Sequence, residues 1–189
     1  PMDSVVSPAT SKTFSDNGGL AILNLEGVWT RYEDPTSVLK DIAALDAKGA
    51  TAKLQEIYAQ PIKPELIAAR IQEMRASGIT VAGSLSPQRT AHFAKQVVDA
   101  GVDIFVIRGT TVSAEHVSNG GEVLNLKEFI YQLDVPVIVG GCATYTAALH
   151  LMRTGAAGVL VGFGGGAAHT TLDVLGVRVP MASAVADVA

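Results

Sequence analysis

Short aliphatic runs alternate with helical patterns along the whole chain, and this alternation restricts the fold more than any other feature. Each run is too short to form a stable helix and too continuously apolar to be a half-exposed strand. Buried parallel strands have this pattern, because helices cover both of their faces. The chain is 48% hydrophobic but only 5% aromatic, in agreement with aliphatic buried strands. The predicted strands are residues 19–24, 79–83, 104–108, 135–140 and 158–162.

Amphipathic segments separate these runs, and glycines end several of them. Residues 65–76 alternate apolar and charged positions with helical spacing. Residues 90–100 stop at Gly101 and residues 146–154 stop at Gly155, and a glycine just after a helix is a common stop signal. The chain is therefore predicted to be a series of strand–helix units with right-handed crossovers.

Such units form either an open doubly wound sheet or a closed (β/α)₈ barrel. The regular spacing of the last three predicted strands favours an α/β fold of the TIM-barrel type. A partial strand at residues 2–5 raises the prediction to about six of the eight barrel strands. Because a complete barrel takes ~250 residues, we expect residues 1–189 to be a single, partial barrel domain that lacks strands seven and eight.

The connection at residues 34–78 is long for one crossover, but it contains no low-complexity stretch and no linker. Breaks at Gly49 and at residues 61–64 divide it into two or three predicted helices. The chain is therefore expected to carry no inserted domain. A further helical pattern follows at residues 179–189.

Charge and cysteine content exclude several classes of protein. The net charge of −4 is spread over mixed acidic and basic residues, which predicts neither a nucleic-acid surface nor a membrane-binding patch. Cys142 is the single cysteine, so no internal disulfide forms and no zinc spacing occurs. Because the first residues lack a signal-peptide pattern and no apolar run is long enough to span a bilayer, we expect a cytoplasmic protein.

In a barrel, the loops after the strands meet at one end and carry the function. The most distinctive of them is the glycine loop, which we define as residues 162–172 (GFGGGAAHTTL). Its glycines leave backbone amides free to point at a phosphate or a carbonyl oxygen, but a tight turn leaving a strand explains them equally well. The other predicted loops at this end are residues 3–7, 24–31, 84–89, 108–116 and 140–145.

Several motifs, in order along nearly the whole chain, resemble the IMP dehydrogenase/GMP reductase family. Residues 160–172 resemble that family's catalytic loop, V-G-x-G-x-G-S-x-C-T-T-R, and residues 1–5 (PMDSV) resemble its first-strand motif, M-D-[ST]-V. Residues 18–20, 140–144 and 179–180 resemble the start of its second unit, the end of its fifth strand and the Val-Pro after the loop. Only residues 34–78 stand where many members carry CBS domains, so the resemblance is to a short branch without them.

This resemblance implies a purine nucleotide substrate, IMP or GMP, NAD or NADP as cofactor, a K⁺ ion and a homotetramer. It implies catalytic roles for Thr171, which matches the family's catalytic threonine, and for His169, which occupies its cysteine position. Arg108 and Gly162 would contact the cofactor, and carbonyls of Gly164, Gly166 and His169 would bind the monovalent cation. The implied nucleotide-binding residues are Met2, Gly141, Gly164, Gly166 and Ala167.

Departures from the family pattern leave three functional hypotheses. Imidazole is a poor substitute for the thiolate that attacks the purine, and Arg108 reverses the charge of a cofactor-facing aspartate. The first hypothesis is a purine nucleotide oxidoreductase, and the alternative is a non-catalytic nucleotide-binding or regulatory member. The third is a different reaction with His169 as general base, since an imidazole titrates near neutral pH.

Three further features allow two interpretations each. Cys142 is either a replacement nucleophile or a small buried apolar residue. Arg108 either binds a phosphate or carboxylate in a bidentate manner or forms an ion pair with Asp3 or Glu26. The polar and aromatic cluster of residues 29–33 either contacts a base or a neighbouring subunit, or packs its own loop.

Overall fold

The computed structural model describes residues 1–46, 48–113, 124–166 and 170–189. Within these ranges strands and helices alternate, and a short 3₁₀ helix covers Val28–Thr30. The strands are β1 (Ile22–Asn24), β2 (Ala82–Leu85), β3 (Ile104–Arg108), β4 (Val137–Cys142) and β5 (Gly158–Val161). The helices are α1 (Pro8–Asp16), α2 (Pro35–Ala43), α3 (Ala50–Ala59), α4 (Pro64–Ala76), α5 (Pro87–Asp99), α6 (Leu126–Tyr131), α7 (Tyr145–Met152), α8 (Thr170–Leu175) and α9 (Met181–Val188).

The five strands form one sheet in which spatial neighbours are also consecutive in the sequence, β1-β2-β3-β4-β5. The β1–β2 pair is parallel, with Asn24 opposite Ser84, and the β4–β5 pair is parallel, with Val139 opposite Val159. A doubly wound sheet reverses its strand order at a switch point, whereas the strands of a barrel follow one another without reversal. The order confirms the predicted α/β fold of the TIM-barrel type.

The predicted partial strand at residues 2–5 is wrong, because this segment forms a turn. The backbone N–H groups of Val5 and Val6 both donate to the Met2 carbonyl, at 3.0 and 2.8 Å. A chain that bonds to itself over three or four residues cannot also form an extended ladder. The described residues therefore contain five strands where about six of eight were expected.

Three helices fill the long connection between β1 and β2, as the breaks in the sequence predict. Gly49 precedes α3, and Pro64 occupies the first turn of α4, where its missing N–H costs no hydrogen bond. Among the helices in the described ranges, none is both long enough and apolar enough to cross a lipid bilayer.

The chain divides into two compact units, which are described separately. Unit 1 comprises Pro1–Leu85 and His92–Phe105. Here α4 packs against α1 and the 3₁₀ helix. The side chains with almost no exposed surface in this unit are Leu23, Leu25, Val28, Ile67, Ile71, Met74 and Val81.

Unit 2 comprises Ser86–Ala91 and Val106–Ala189. In this unit α7 and α9 pack against each other and both contact β5. The Asp187 carboxylate of α9 accepts the backbone N–H of Tyr145 at 2.8 Å, which ties α9 to the first turn of α7. Its fully buried side chains include Val106, Ile107, Leu126, Val139 and Leu151. The single domain over residues 1–189 stays a prediction.

Candidate functional site

A pocket of about 190 Å³ in unit 2 lies at the carboxyl ends of β3, β4 and β5. We call it the arginine pocket, after Arg108 at the end of β3. Because the carboxyl ends of parallel strands meet at one edge of a sheet, this is where a barrel places its functional groups. The lining residues are Arg108, Gly109, Thr110, Gly141, Leu160, Gly162, Phe163, Gly164 and Thr171.

Five of the predicted site residues line this one pocket. They are Arg108, Gly141, Gly162, Gly164 and Thr171. Gly166 lies in the same loop but is exposed and does not line the pocket. Met2, predicted to bind the nucleotide, belongs to unit 1 and is 62% exposed. Ala167 and His169 lie outside the described residues.

Backbone hydrogen bonds hold the loop after β3 against the end of β4. The N–H of Gly109 donates to the Gly140 carbonyl at 2.9 Å, and the N–H of Gly141 donates back to the Gly109 carbonyl at 3.1 Å. Val112 then donates to the Gly141 carbonyl at 3.2 Å. This ladder fixes the position of Thr110, the residue between them that lines the pocket.

Backbone geometry accounts for several of the glycines. A Cβ atom on Gly141 would lie 2.7 Å from the Gly162 carbonyl oxygen, so no side chain fits there. Gly162 and Gly164 have φ angles of +95° and +62°, in the left-handed region that favours glycine. A Cβ on Gly162 would also meet the sulfur of Met181 at 2.2 Å. Residues 162–166 therefore form a tight turn leaving β5, and that turn forms one wall of the pocket.

Free donors and one cation characterise the chemistry of the arginine pocket. Arg108 is exposed and forms no ion pair with the described residues of unit 2, and its predicted pair with Asp3 or Glu26 stays a prediction. The Thr110 and Thr171 hydroxyls, and the N–H of Gly164, make no hydrogen bond within the described ranges. None of the nine lining residues is acidic. The arrangement fits an anionic or oxygen-rich ligand.

Cys142 is not a suitable nucleophile. Its side chain is 2% exposed, its Sγ lies 3.5 Å from the Leu160 carbonyl oxygen, and it does not line the arginine pocket. Burial raises the pKa of the Cys142 thiol. Since the thiolate is the reactive form, the interpretation of Cys142 as a small buried residue is favoured.

A second network, in unit 1, surrounds the Asp3 carboxylate, and most of it escaped sequence analysis. Its Oδ2 accepts the Val28 N–H at 2.9 Å and the Tyr58 hydroxyl at 2.7 Å, and its Oδ1 accepts the Asn24 amide at 3.2 Å. A Cβ on Gly27 would lie 2.0 Å from Oδ1, so the carboxylate needs a glycine there.

The cluster of residues 29–33 bonds to main-chain carbonyls within unit 1, both in its own loop and in neighbouring segments. The Trp29 indole donates to the Asp3 carbonyl at 3.3 Å, and the Tyr32 hydroxyl donates to the Ile57 carbonyl at 3.0 Å. The Arg31 Nε donates to the Glu26 carbonyl at 2.9 Å. These bonds are directed inward, to the main chain of the same unit.

We expect Tyr58→Phe to change how stability depends on alkaline pH. Burial, the hydrogen bond to Asp3 and the negative charge of that carboxylate raise the pKa of Tyr58 above its ordinary value of 10.0. The folded state thus favours the neutral phenol. This contribution to stability is complete below pH 10, where the unfolded phenol is also neutral, and it is lost as the pH rises further.

The measurement is urea unfolding of wild type and Tyr58→Phe from pH 7 to pH 11. At pH 7 the variant should lose about 1 kcal/mol, the usual net contribution of a hydrogen bond. Above pH 10 this difference should shrink. Both proteins carry the same lysines, so the difference between their free energies of unfolding reports the ionisation of Tyr58. A constant difference across this range would contradict the assignment.

The whole chain, residues 1–189, matches the family model described as IMP dehydrogenase / GMP reductase domain. An "uncharacterized oxidoreductase" of Mycobacterium tuberculosis is 47% identical over 195 residues, covering 100% of this chain and 52% of the relative. An inosine-5'-monophosphate dehydrogenase of Cryptosporidium parvum is 37% identical over 92 residues, covering 49% of this chain and 22% of the relative.

A solved structure agrees with the sequence relatives. The IMP dehydrogenase/GMP reductase-like protein of Corynebacterium glutamicum superposes with a TM-score of 0.91 at 45% sequence identity. The match covers 100% of this chain and 50% of that protein. This chain thus spans about half the length of the mycobacterial relatives and of the solved structure.

Proposed function

The chain belongs to the IMP dehydrogenase/GMP reductase family, and from this premise we propose that it contributes the nucleotide site of an NAD(P)-dependent oxidoreductase acting on IMP or GMP. Relatives that match its full length are named as oxidoreductases. One observation carries the proposal: five residues assigned to the site from sequence line a single pocket at the carboxyl ends of three strands. The homotetramer implied by the resemblance and the cytoplasmic location expected from the sequence belong to the same proposal.

Space beside the arginine pocket supports a ligand larger than one phosphate group. A second pocket of about 310 Å³ shares Gly109 and Thr110 with it, and Val112, Leu124 and Leu126 give that pocket an apolar wall. Small-molecule sites usually measure ~300–1,000 Å³, so the arginine pocket by itself suits only part of a nucleotide. The two pockets together give room for a polar end and a ring.

The residues present fit a dinucleotide cofactor by the chemistry of their donors. Arg108 and the Thr110 hydroxyl would hold phosphate or ribose oxygens, and no acidic side chain in the described lining would repel them. When bound, the nicotinamide supplies hydride transfer. The Thr171 hydroxyl would hold or move a proton at the nucleotide. For K⁺, the Gly164 and Gly166 carbonyls accept no hydrogen bond from the described residues and remain available, with the carbonyl of His169 as the third proposed ligand.

A second candidate function is nucleotide binding without turnover. It is favoured because no reactive cysteine is available as the nucleophile. The resemblance puts His169 at the position of the family's nucleophile, and Cys142 is buried with a raised pKa. Neither residue offers a thiolate for a covalent adduct with the purine. Oxidation would then require His169 to activate water, while binding requires no nucleophile at all.

Calorimetric titration with IMP, GMP and UMP tests the proposed nucleotide site. We expect either purine nucleotide to bind at least about tenfold more tightly than UMP, a difference of 1.4 kcal/mol. Thr171→Val should weaken purine binding about tenfold, because it deletes one hydrogen bond. The matched control is Thr13→Val, at an exposed position of α1 in unit 1, which should bind like wild type.

The nucleotide that binds is then mixed with the protein and the cofactor, and the absorbance of NADH or NADPH is followed to separate the two candidates. Turnover supports the oxidoreductase, and binding without turnover supports the non-catalytic alternative. If no purine nucleotide binds at millimolar concentration, both candidate functions fail.

A further inference from the structure

A second groove, in unit 1, shares no lining residue with the arginine pocket. Its volume is about 470 Å³, and it lies between the turn at residues 3–5, the start of α1 and the end of α2. We call it the tryptophan groove, after Trp29 in its lining. We infer that the tryptophan groove binds a small organic cation, a protonated amine attached to an apolar ring. This site goes beyond the proposed function and does not depend on it.

The walls of the groove are mainly apolar and remain partly exposed. The apolar lining residues are Val5, Trp29, Leu39, Ile42 and Ala43. Within α2 only Pro35 is buried, so the described residues leave the apolar side of this helix incompletely covered. The volume lies in the ~300–1,000 Å³ range of small-molecule sites, which are lined mostly by apolar and aromatic side chains.

Trp29 is held in place through both its side chain and its backbone. Its indole N–H donates to the Asp3 carbonyl at 3.3 Å, and its own carbonyl accepts the Arg70 Nε at 3.1 Å. The same guanidinium donates to the Glu33 carbonyl at 2.9 Å, which fixes a second point of this loop. A wall that is already fixed loses little conformational entropy when a ligand binds. Tryptophan is also the aromatic side chain that attracts a cation most strongly.

The charge of the groove comes from Asp3, which lines it and is only 9% exposed. The hydrogen bonds that its carboxylate accepts come from neutral groups: the Val28 N–H, the Asn24 amide and the Tyr58 hydroxyl. Neutral donors stabilise the negative charge without cancelling it. In apolar surroundings such a charge acts more strongly than in water. A cation in the groove would be attracted and an anion repelled.

The lining offers this charge no basic partner. None of the nine described lining residues is a lysine, an arginine or a histidine. Arg31 lies outside the lining, and its guanidinium donates to the Glu26 and Gln60 carbonyls. The Ser4 hydroxyl lines the groove and makes no hydrogen bond within the described ranges, so an ammonium group would find a further acceptor there.

Trp29 is the single tryptophan of the chain, so its fluorescence reports on this groove directly. The probes are phenethylammonium, phenethyl alcohol and hydrocinnamate, which share a phenyl ring and are cationic, neutral and anionic. We expect phenethylammonium to bind about tenfold more tightly than phenethyl alcohol, and hydrocinnamate to bind most weakly. Equal affinity for the cation and the alcohol, or no binding of phenethylammonium at millimolar concentration, would overturn the inference.

Ala43→Phe tests the location of the site. Ala43 is an exposed residue of α2 that lines the groove, so a phenylalanine there should fill it and weaken phenethylammonium binding at least about tenfold. The matched control is Ala44→Phe, at the next residue, which is also exposed but does not line the groove. It should bind like wild type. Unchanged binding by Ala43→Phe would place the probe elsewhere and contradict the inference.

Asp3→Asn tests the origin of the preference for a cation. It removes the charge and keeps the shape of the side chain, so the advantage of phenethylammonium over phenethyl alcohol should disappear while the alcohol keeps its affinity. Circular dichroism checks that the variant folds. A folded Asp3→Asn that still prefers the cation would refute the role of the carboxylate. If the variant does not fold, the charge series on wild type and the Ala43→Phe pair decide the question.

Sedimentation velocity tests the other occupant of the groove, a second copy of this chain. The inference predicts the same mass for wild type, Ala43→Phe and Ala44→Phe. A lower mass for Ala43→Phe alone would assign the groove to an interface between copies, and the ligand site would then be rejected.

Discussion

Asp3→Ala is expected to lower the free energy of unfolding by about 3–5 kcal/mol, a loss typical of broken buried hydrogen-bond networks. The Asp3 carboxylate is 9% exposed and accepts hydrogen bonds from Val28, Asn24 and Tyr58. Alanine offers none of them an acceptor. The buried Val28 N–H is left without its partner, and a buried unsatisfied donor costs about 1–3 kcal/mol.

Urea unfolding at pH 7 measures this loss, with Asp16→Ala as the matched control. Asp16 pairs with Lys12 on the surface of α1, and its side chain is 56% exposed. Exposed ion pairs contribute about 0–1 kcal/mol, so the control should unfold close to wild type. Asp3→Asn keeps the shape of the side chain but places an amide NH₂ where hydrogen-bond donors converge. Its loss of unfolding free energy should lie between those of Asp3→Ala and Asp16→Ala. A loss below about 1 kcal/mol for Asp3→Ala would contradict the network.

The Asp3 network also marks a limit of sequence analysis. Residues 2–5 are predicted to form a partial strand, and the structure has a turn there. One partner of the Asp3 carboxylate in this turn is remote in sequence, since Tyr58 is 55 residues from Asp3. No local periodicity reveals such a contact. Gly27 likewise looks like an ordinary loop glycine until the Asp3 carboxylate is placed against it.

Local sequence signals predict the bounds of an element when that element is determined by its own residues. Strand β3 has the predicted bounds, 104–108, and α4 begins one residue before the predicted 65–76. Both are apolar segments with clear stop signals. Helix α1 carries start signals in its own sequence. Ser7 caps it by accepting the Thr10 N–H, and Pro8 occupies its first turn.

The arginine pocket was predictable to a different degree at each position. Motif resemblance predicts Arg108, Gly141 and Thr171 as site residues, and the strand order brings them together. Phe163 is not predicted as a site residue, because nothing in its sequence context distinguishes it. The need for glycine at position 141 is visible only in the structure, because the Gly162 carbonyl oxygen leaves no room for a side chain there.

Gly140→Ala is expected to lower the free energy of unfolding by about 3 kcal/mol, at the upper end of the usual cost of overpacking. Gly140 lies opposite Leu160 in the β4–β5 ladder. A Cβ at Gly140 would lie 2.4 Å from the Leu160 Cβ and 2.6 Å from its carbonyl oxygen. Because these atoms belong to the backbone of β5 or are attached directly to it, no side-chain rotation relieves the clash, and the strand must shift.

Gly158→Ala is the matched control on the same strand pair. A Cβ at Gly158 would meet the Ile138 side chain at 3.5 Å, an ordinary van der Waals contact, so this variant should unfold within about 1 kcal/mol of wild type. Since Leu160 and the adjacent Gly141 line the arginine pocket, Gly140→Ala should also weaken ligand binding there, whereas Gly158→Ala should not. Urea unfolding and calorimetry measure the two effects. Equal stability of both variants would mean that β5 yields to a methyl group, and the pocket wall would then not be the rigid element that nucleotide recognition requires.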